Sequence, residues 1–300
     1  MKKIALWAMC IAVMVLSGCR KAPEWKAEHV FVIGLDGWGA YSVEKADMPN
    51  VKALMDAGCY TLKKRSVLPS SSAVNWASMF MGAGPELHGY TEWGSRTPEL
   101  PSRVLNEHGI FPTVFSELRK AAPDAEMGVL YEWDGIKYLV DTLALNHHAQ
   151  APDYNTHPTA LCDMACEYIT QKKPVLSAFC FDNPDHMGHG DGHDTPAYYA
   201  KLRELDGYVG RIVDAIKEAG IYENSIIIVT ADHGGINKGH GGKTMEEMET
   251  PFIIAGKNIK KGGAFEESMM QFDCASTIAS VFNLEQPQVW IGRPMTQVFE

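Results

Sequence analysis

Asp36, Asp185, His189, Asp232, His233 and His240 are the residues whose types and spacing first point to chemistry. They stand as Asp36-Gly37, Asp185-x-x-x-His189, Asp232-His233-Gly234-Gly235 and His240-Gly241-Gly242. Carboxylate and imidazole together are ligands that a divalent, zinc-like ion takes. One member alone carries little weight, because an Asp after a strand commonly caps a turn or a helix. A lone Asp-His-Gly reads equally well as a loop. The ordered set is a different matter, since each member lies at or just beyond the end of an apolar run. The adjoining glycines let backbone and ions approach closely.

Those apolar runs are the elements that must position the ligands. Runs at 29–35, 127–131, 174–181, 225–230 and 251–255 are short and rich in β-branched residues. Continuous apolar character, without alternation, indicates strands buried on both faces, as in parallel sheets. Helical periodicity falls between them, at 48–57, 74–81, 113–121, 159–171 and 195–219. Alternating strands and helices predict an α/β fold, a doubly wound and mainly parallel sheet flanked by helices. In such sheets ligands bind beyond the carboxyl ends of the strands. The segments 91–100 and 133–154 are polar, carry aromatics and lack a clear period, so a small loop-rich cap is expected there.

As a set these motifs resemble the alkaline phosphatase superfamily, and most closely its type I phosphodiesterase/nucleotide pyrophosphatase branch. The resemblance rests on Asp36-Gly37 after the first strand and on Leu68-Pro69-Ser70-Ser71-Ser72-Ala73-Val74-Asn75. It continues through Gly82-x-x-Pro85-x-x-His88-Gly89, Pro184-Asp185-x-x-Gly188-His189 and Thr230-Ala231-Asp232-His233-Gly234. The resemblance implies two divalent ions, zinc by ligand type. One would sit on Asp36, Asp232, His233 and the reactive oxygen of Ser72. The other would sit on Asp185, His189 and His240. It also implies a small phosphate-ester substrate, attack by Ser72 and a covalent phospho-enzyme. Asn75, one helical turn later, is expected to donate its amide to a non-bridging oxygen. His240 follows His233 by a shorter interval than in many nucleotide pyrophosphatases. Ser70, Ser71 and Ser72 could each equally be a helix cap.

Other residues leave alternatives open. His186 and His193 are spare imidazoles near the ligands, His88 reads as structural and His147-His148 as a solvated loop pair. Arg65, Arg96 and Lys243 are the cations a phosphomonoester would use. Trp38, Trp76, Trp93 and Tyr90 are either core or stacking surfaces. A phosphomonoesterase and a sulfatase share the same metal logic, but Ser72-Ala73-Val74-Asn75-Trp76 lacks the Pro and Arg of a sulfatase signature. A noncatalytic metal-containing binding lipoprotein is the rival from another class. A phosphomutase of this superfamily would carry a large insertion between the metal motifs.

The chain has 300 residues, a net charge of −10 and 46% hydrophobic residues, which suits a globular domain and not a disordered tail. Lys and Arg form no basic stripe, so binding to a nucleic-acid duplex is not expected. The N-terminus reads as an address: Met1-Lys2-Lys3, an apolar stretch, then Leu16-Ser17-Gly18-Cys19. This resembles a bacterial lipobox. It implies a signal peptide at 1–18, lipidation of Cys19, a tether through 27 and a metallohydrolase domain at 28–300. The expected location is the bacterial cell envelope, with the chain anchored by its N-terminal lipid on the periplasmic or cell-surface side. Cys59, Cys162, Cys166, Cys180 and Cys274 read as buried thiols.

Overall fold

The structure, a computed structural model, describes residues 24–300. The lipobox, Cys19 and most of the tether lie outside the described residues. Its end, however, is packed. Trp25 sets its ring 5.0 Å from that of Phe282, and the Lys26 amide donates to Val281 O at 2.8 Å. Within the segment read as a tether, an indole and a backbone donor thus find partners on the domain. Among the described residues no helix is long and apolar enough to cross a membrane.

Eight strands form one sheet in the order β4-β3-β5-β1-β6-β7-β2-β8. They are β1 (His29–Leu35), β2 (Cys59–Arg65), β3 (Met127–Tyr131), β4 (His147–Gln150), β5 (Leu176–Phe181), β6 (Ser225–Thr230), β7 (Glu249–Gly256) and β8 (Gly263–Ala264). Pairing from β4 across to β6 is parallel, whereas β7 runs antiparallel to both β6 and β2. The helices are α1 (Pro49–Ala57), α2 (Ser72–Met81), α3 (Pro85–His88), α4 (Val114–Ala121) and α5 (Ala160–Lys172). They continue with α6 (Asp185–Asp191), α7 (Pro196–Glu218), α8 (Met245–Met248) and α9 (Asp273–Val281).

Both sheet faces are covered, which is why the central strands need apolar residues at every position. In β1, Val30 and Val32 point to a core shared with α2, α4 and α9. Phe31, Ile33 and Leu35 point to the opposite core, shared with α1, α5 and α7. β6 divides the same way, with Ile226 and Ile228 on the first face and Ile227 and Val229 on the second. The sheet is thus held from both sides, and the carboxyl ends of β1, β5 and β6 lie side by side at one rim.

Two segments differ from the sequence expectation. His147 and His148 do not sit in a loop: they open the edge strand β4, exposed and paired in parallel with Gly128 and Val129. Of the two segments expected near substrate, 133–154 carries this edge strand and short 3-10 turns, while 91–95 approaches the rim.

Candidate metal centre

β1 runs directly into Asp36, and the turn there uses Gly37 at φ +69°. A Cβ there would stand 2.6 Å from Cβ of Asp185, so glycine lets the ends of β1 and β5 converge. Asp185 opens α6 and His189 follows one turn later on the same face. β6 runs directly into Asp232 and His233. The loop beyond folds back through an Ile236–Gly239 bridge and returns His240 to the rim. The short interval after His233 is therefore spanned by a tight loop. His233 and His240 stack with ring centroids 3.9 Å apart.

The six expected ligands come together. Asp185, His189 and His240 form one group of donor atoms all within 4.8 Å of one another. Asp36, Asp185 and His233 form a second, so Asp185 is shared and not confined to one side. Asp232 belongs to neither group, but its Oδ2 lies 3.3 Å from His233 Nε2. Asp36 Oδ1 lies 3.4 Å from the same nitrogen.

The hydrogen-bond pattern tests whether a cation fits. Nδ1 of His189 faces Lys238 O at 2.9 Å, Nδ1 of His233 faces Gly234 O at 2.7 Å, and Nδ1 of His240 faces Ser70 O at 3.1 Å. A carbonyl only accepts, so each Nδ1 carries a proton; Nε2 of His233 and of His240 can then offer a lone pair inward, while Nε2 of His189 meets Asp185 Oδ2 at 3.1 Å, a contact that a proton fills in the metal-free site. Opposite His233 Nε2, Asp36 Oδ1 and Asp232 Oδ2 are buried without any hydrogen-bond donor; Asp185 Oδ1 is likewise undonated, and its Oδ2 lies 3.1 and 3.8 Å from Nε2 of His189 and His240. The other oxygens are tied back: Trp76 Nε1 donates to Asp36 Oδ2 at 2.9 Å and Gly37 N to Asp232 Oδ1 at 3.2 Å. Acceptors facing acceptors in a buried space are unfavourable unless a cation or a proton lies between them. The donor set therefore fits a divalent ion of the zinc type.

Ionisation of the metal-free site follows from the same crowding. Burial, then the neighbouring Asp232 and Asp185, push Asp36 well above the carboxylate range. Burial foremost raises Asp232 to about 7. Burial also opposes ionisation of Asp185, but the His189 hydrogen bond and the surrounding imidazoles outweigh it and bring the group to about 2. That hydrogen bond raises His189 to about 9, while desolvation lowers His233 and His240.

Ser72 is the serine that meets this cluster. It is the first residue of α2, and its Oγ lies 3.1 Å from His233 Nε2. Ser70 instead donates to Gly242 O at 2.6 Å, and Ser71 is the N-cap residue without a side-chain cap bond. Asn75 departs from expectation. Its Oδ1 accepts from Val67 N, and its Nδ2 is directed at the carbonyls of Val67, Pro69 and Ser71. The amide shapes the loop that delivers Ser72, and it is not turned toward the ligand cluster.

Other residues sort by burial. Trp38 and Trp76 are wholly buried and Tyr90 nearly so, whereas Trp93 is 67% exposed. Trp93 lines a cavity of about 680 Å³ with Pro69, Ser71, Glu92, His189 and His240, so that cavity opens onto the ligands. Arg65 and Arg96 are paired with Glu249 and Asp134. His88 is buried between Ser78 Oγ and Tyr90 N, in keeping with a structural residue. His186 is exposed, edge-on to Tyr154. Two residues carry roles that spacing did not reveal. Trp76 holds Asp36, and Lys64, wholly buried, donates to Ala231 O beneath the site and to Gln271 Oε1. Nothing in a Lys63-Lys64-Arg65 run marks its middle member as the buried one.

Comparison with known proteins gives the family. A family model for type I phosphodiesterase/nucleotide pyrophosphatase matches residues 30–275. Human ectonucleotide pyrophosphatase/phosphodiesterase family member 5 is 32% identical over 216 residues, covering 69% of this chain and 45% of that protein. The chain thus spans less than half the length of that curated relative. Among solved structures, an inactive variant of the murine member 5 in complex with AMP superposes with a TM-score of 0.73 at 15% identity. That match covers 90% of this chain and 98% of the murine one. A putative sulfatase from Bacteroides thetaiotaomicron gives 0.74 at 15% identity over 91% of this chain and 74% of its own. At such identities the likeness concerns the fold, which these proteins have in common. With its ligand types gathered at one rim and the family match running from β1 into α9, the chain belongs to the type I phosphodiesterase/nucleotide pyrophosphatase family of the alkaline phosphatase superfamily.

Proposed function

We propose that this chain is a metal-dependent hydrolase of phosphoric diesters with Ser72 as nucleophile, exported and held at the bacterial envelope by lipid on Cys19. The observation that carries the catalytic reading is Ser72 Oγ at 3.1 Å from His233 Nε2, the nitrogen that the undonated Asp36 Oδ1 and Asp232 Oδ2 also approach. Asp36, Asp232, His233 and Ser72 would hold one ion and Asp185, His189 and His240 the other, with Asp185 between them. Bound divalent ions supply Lewis-acid stabilisation of the charge that builds on the attacking and leaving oxygens.

The residues of the chain do the rest. The loop braced by Asn75 sets Ser72 at the start of α2, where the helix terminus favours a phosphate. The Ala73 amide is already taken by Trp93 O at 3.1 Å, so it also fixes Trp93 beside the site. Ser72 Oγ bonds to phosphorus as the bond from phosphorus to the leaving oxygen breaks, and that oxygen takes up a proton. Water then attacks the same phosphorus, the Ser72 hydroxyl is restored and a phosphate monoester leaves. Trp93 offers its exposed face to a planar substituent of the ester, such as an aryl group or a nucleobase.

The test is turnover by purified wild type and Ser72→Ala of bis-aryl phosphate, aryl phosphate and aryl sulfate. The expected result is diester hydrolysis that is abolished by chelator and falls about 10³-fold or more in the variant. Equal turnover in the variant overturns the nucleophile. Preference for the sulfate overturns the substrate class in favour of the sulfatase-like neighbours.

A further inference from the structure

One more imidazole lies beside Asp185. His193 lies in the loop between α6 and α7, and its side chain is 1% exposed. Its neighbours Gly192 and Asp194 adopt φ of +103° and +58°, and its own amide donates to Asn237 O at 2.6 Å. The ring fills a slot walled by two glycines. A Cβ at Gly188 or at Gly235 would stand 2.3 or 2.2 Å from its Nε2. Tyr198 packs against it, with ring centroids 5.2 Å apart. Within this slot neither ring nitrogen has a hydrogen-bond partner. Its nearest carboxylate oxygen is Asp185 Oδ1, 3.7 Å from Nε2 and itself buried without a donor.

The three ligand histidines each spend Nδ1 on a backbone carbonyl, and His193 does not. It also stands outside both groups of ligand-capable atoms. A buried N–H without an acceptor is costly. Here two glycines are placed so that such a group fits next to the one carboxylate that both ligand groups share. We propose that His193 is the positioning residue for Asp185, directing Nε2–H at Oδ1 across 3.7 Å and biasing the plane of that carboxylate between the two halves of the site. This role rests on the metal-dependent reading above. Partners of this kind typically change metal affinity or activity by about 10–100-fold.

The test measures zinc affinity by competition with a chromophoric chelator, using the wild-type chain, His193→Ala, His193→Gln and Gly188→Ala. Melting in excess chelator reports folding separately, and kcat and KM are followed on a bis-aryl phosphate at limiting and at saturating zinc. His193→Ala is expected to bind zinc about 10–100-fold more weakly. Its kcat should fall at limiting zinc and recover at saturation, with KM little changed. His193→Gln, which keeps an N–H donor, should recover most of the affinity. Gly188→Ala, which keeps the imidazole but crowds its slot, should lose affinity as well, and it carries the test if His193→Ala does not fold. Wild-type affinity in both His193→Ala and Gly188→Ala overturns the positioning role alone. Loss in His193→Ala without recovery in His193→Gln also overturns it, since the ring would then act by another means. A wild-type chain that takes up no zinc overturns the metal reading and this role together.

Discussion

A single indole N–H decides which oxygen of Asp36 remains free. Trp76 donates to Oδ2, and Oδ1 is left facing His233. The ring can lie there because Gly34 has no side chain: a Cβ at that position would be 2.2 Å from Cη2 of Trp76. Trp76→Phe removes the donor and leaves a void beside Gly34. It is expected to weaken zinc binding about tenfold or more, with the void lowering the chelated melting temperature as a separate effect; unchanged affinity would make the indole a packing residue only. Trp93 is instead proposed to meet substrate. Trp93→Ala should raise KM about tenfold for aryl or nucleotidyl diesters, leaving kcat and the KM of small alkyl diesters near wild type. The gathering of these Asp and His residues was legible because such types at the ends of apolar runs have few other reasons to recur together. Trp76 was not legible, since a core aromatic and an aromatic with a hydrogen-bonding duty look the same in a sequence. Asn75 was misleading for a related reason: its spacing from Ser72 suggests a substrate contact, while its amide is taken up by local carbonyls.

His88 joins elements that the site depends on. It accepts from Tyr90 N through Nδ1 and meets Ser78 Oγ of α2 through Nε2, so it links α2 and α3 to the segment leading to Trp93. Desolvation lowers its pKa from 6.5 to about 3. The unfolded chain therefore takes up a proton first as pH falls. The stability this group provides is complete above pH 6.5 and is lost progressively toward pH 3. At pH 5 that loss is about 2 kcal/mol. His88→Gln is expected to be less stable at neutral pH but to show a shallower loss between pH 7 and pH 5 in urea titrations with chelator present. Parallel slopes for both proteins would place the titration elsewhere. The strands had unequal visibility at this scale. β1, β5 and β6 announce themselves as apolar runs because both faces are buried. β2 does not, because it alternates and carries three basic residues, of which Lys64 is hidden by donating to Ala231 O and Gln271 Oε1. β4 is an exposed edge strand whose two histidines give no apolar signal.

Over the whole molecule the fold concentrates negative charge where it is hardest to hold. Asp36, Asp185 and Asp232 arrive from three different strand ends and are buried together. Without ions, Asp36 and Asp232 keep their protons beyond the normal carboxylate range, Asp232 to about pH 7. A carboxyl with a raised folded pKa favours the folded chain below its unfolded pKa of 3.8, and that contribution is lost as pH rises through about 7. The metal-free chain should thus be penalised by these groups at pH 8. Bound cations reverse the penalty, because they need the deprotonated ligands and bind only the folded site. Asp232→Asn separates the two states. In excess chelator at pH 8 it should be more stable than wild type by an amount on the order of 2 kcal/mol, a gain that shrinks toward pH 4.5. In saturating zinc the order should invert, with wild type melting higher because it alone keeps the full ligand set. Denaturant titrations at both pH values, with chelator and with zinc, check this. A variant no more stable than wild type in chelator at pH 8 would show that the three carboxylates do not strain the empty fold, and the case for a cation between them would lose its energetic basis.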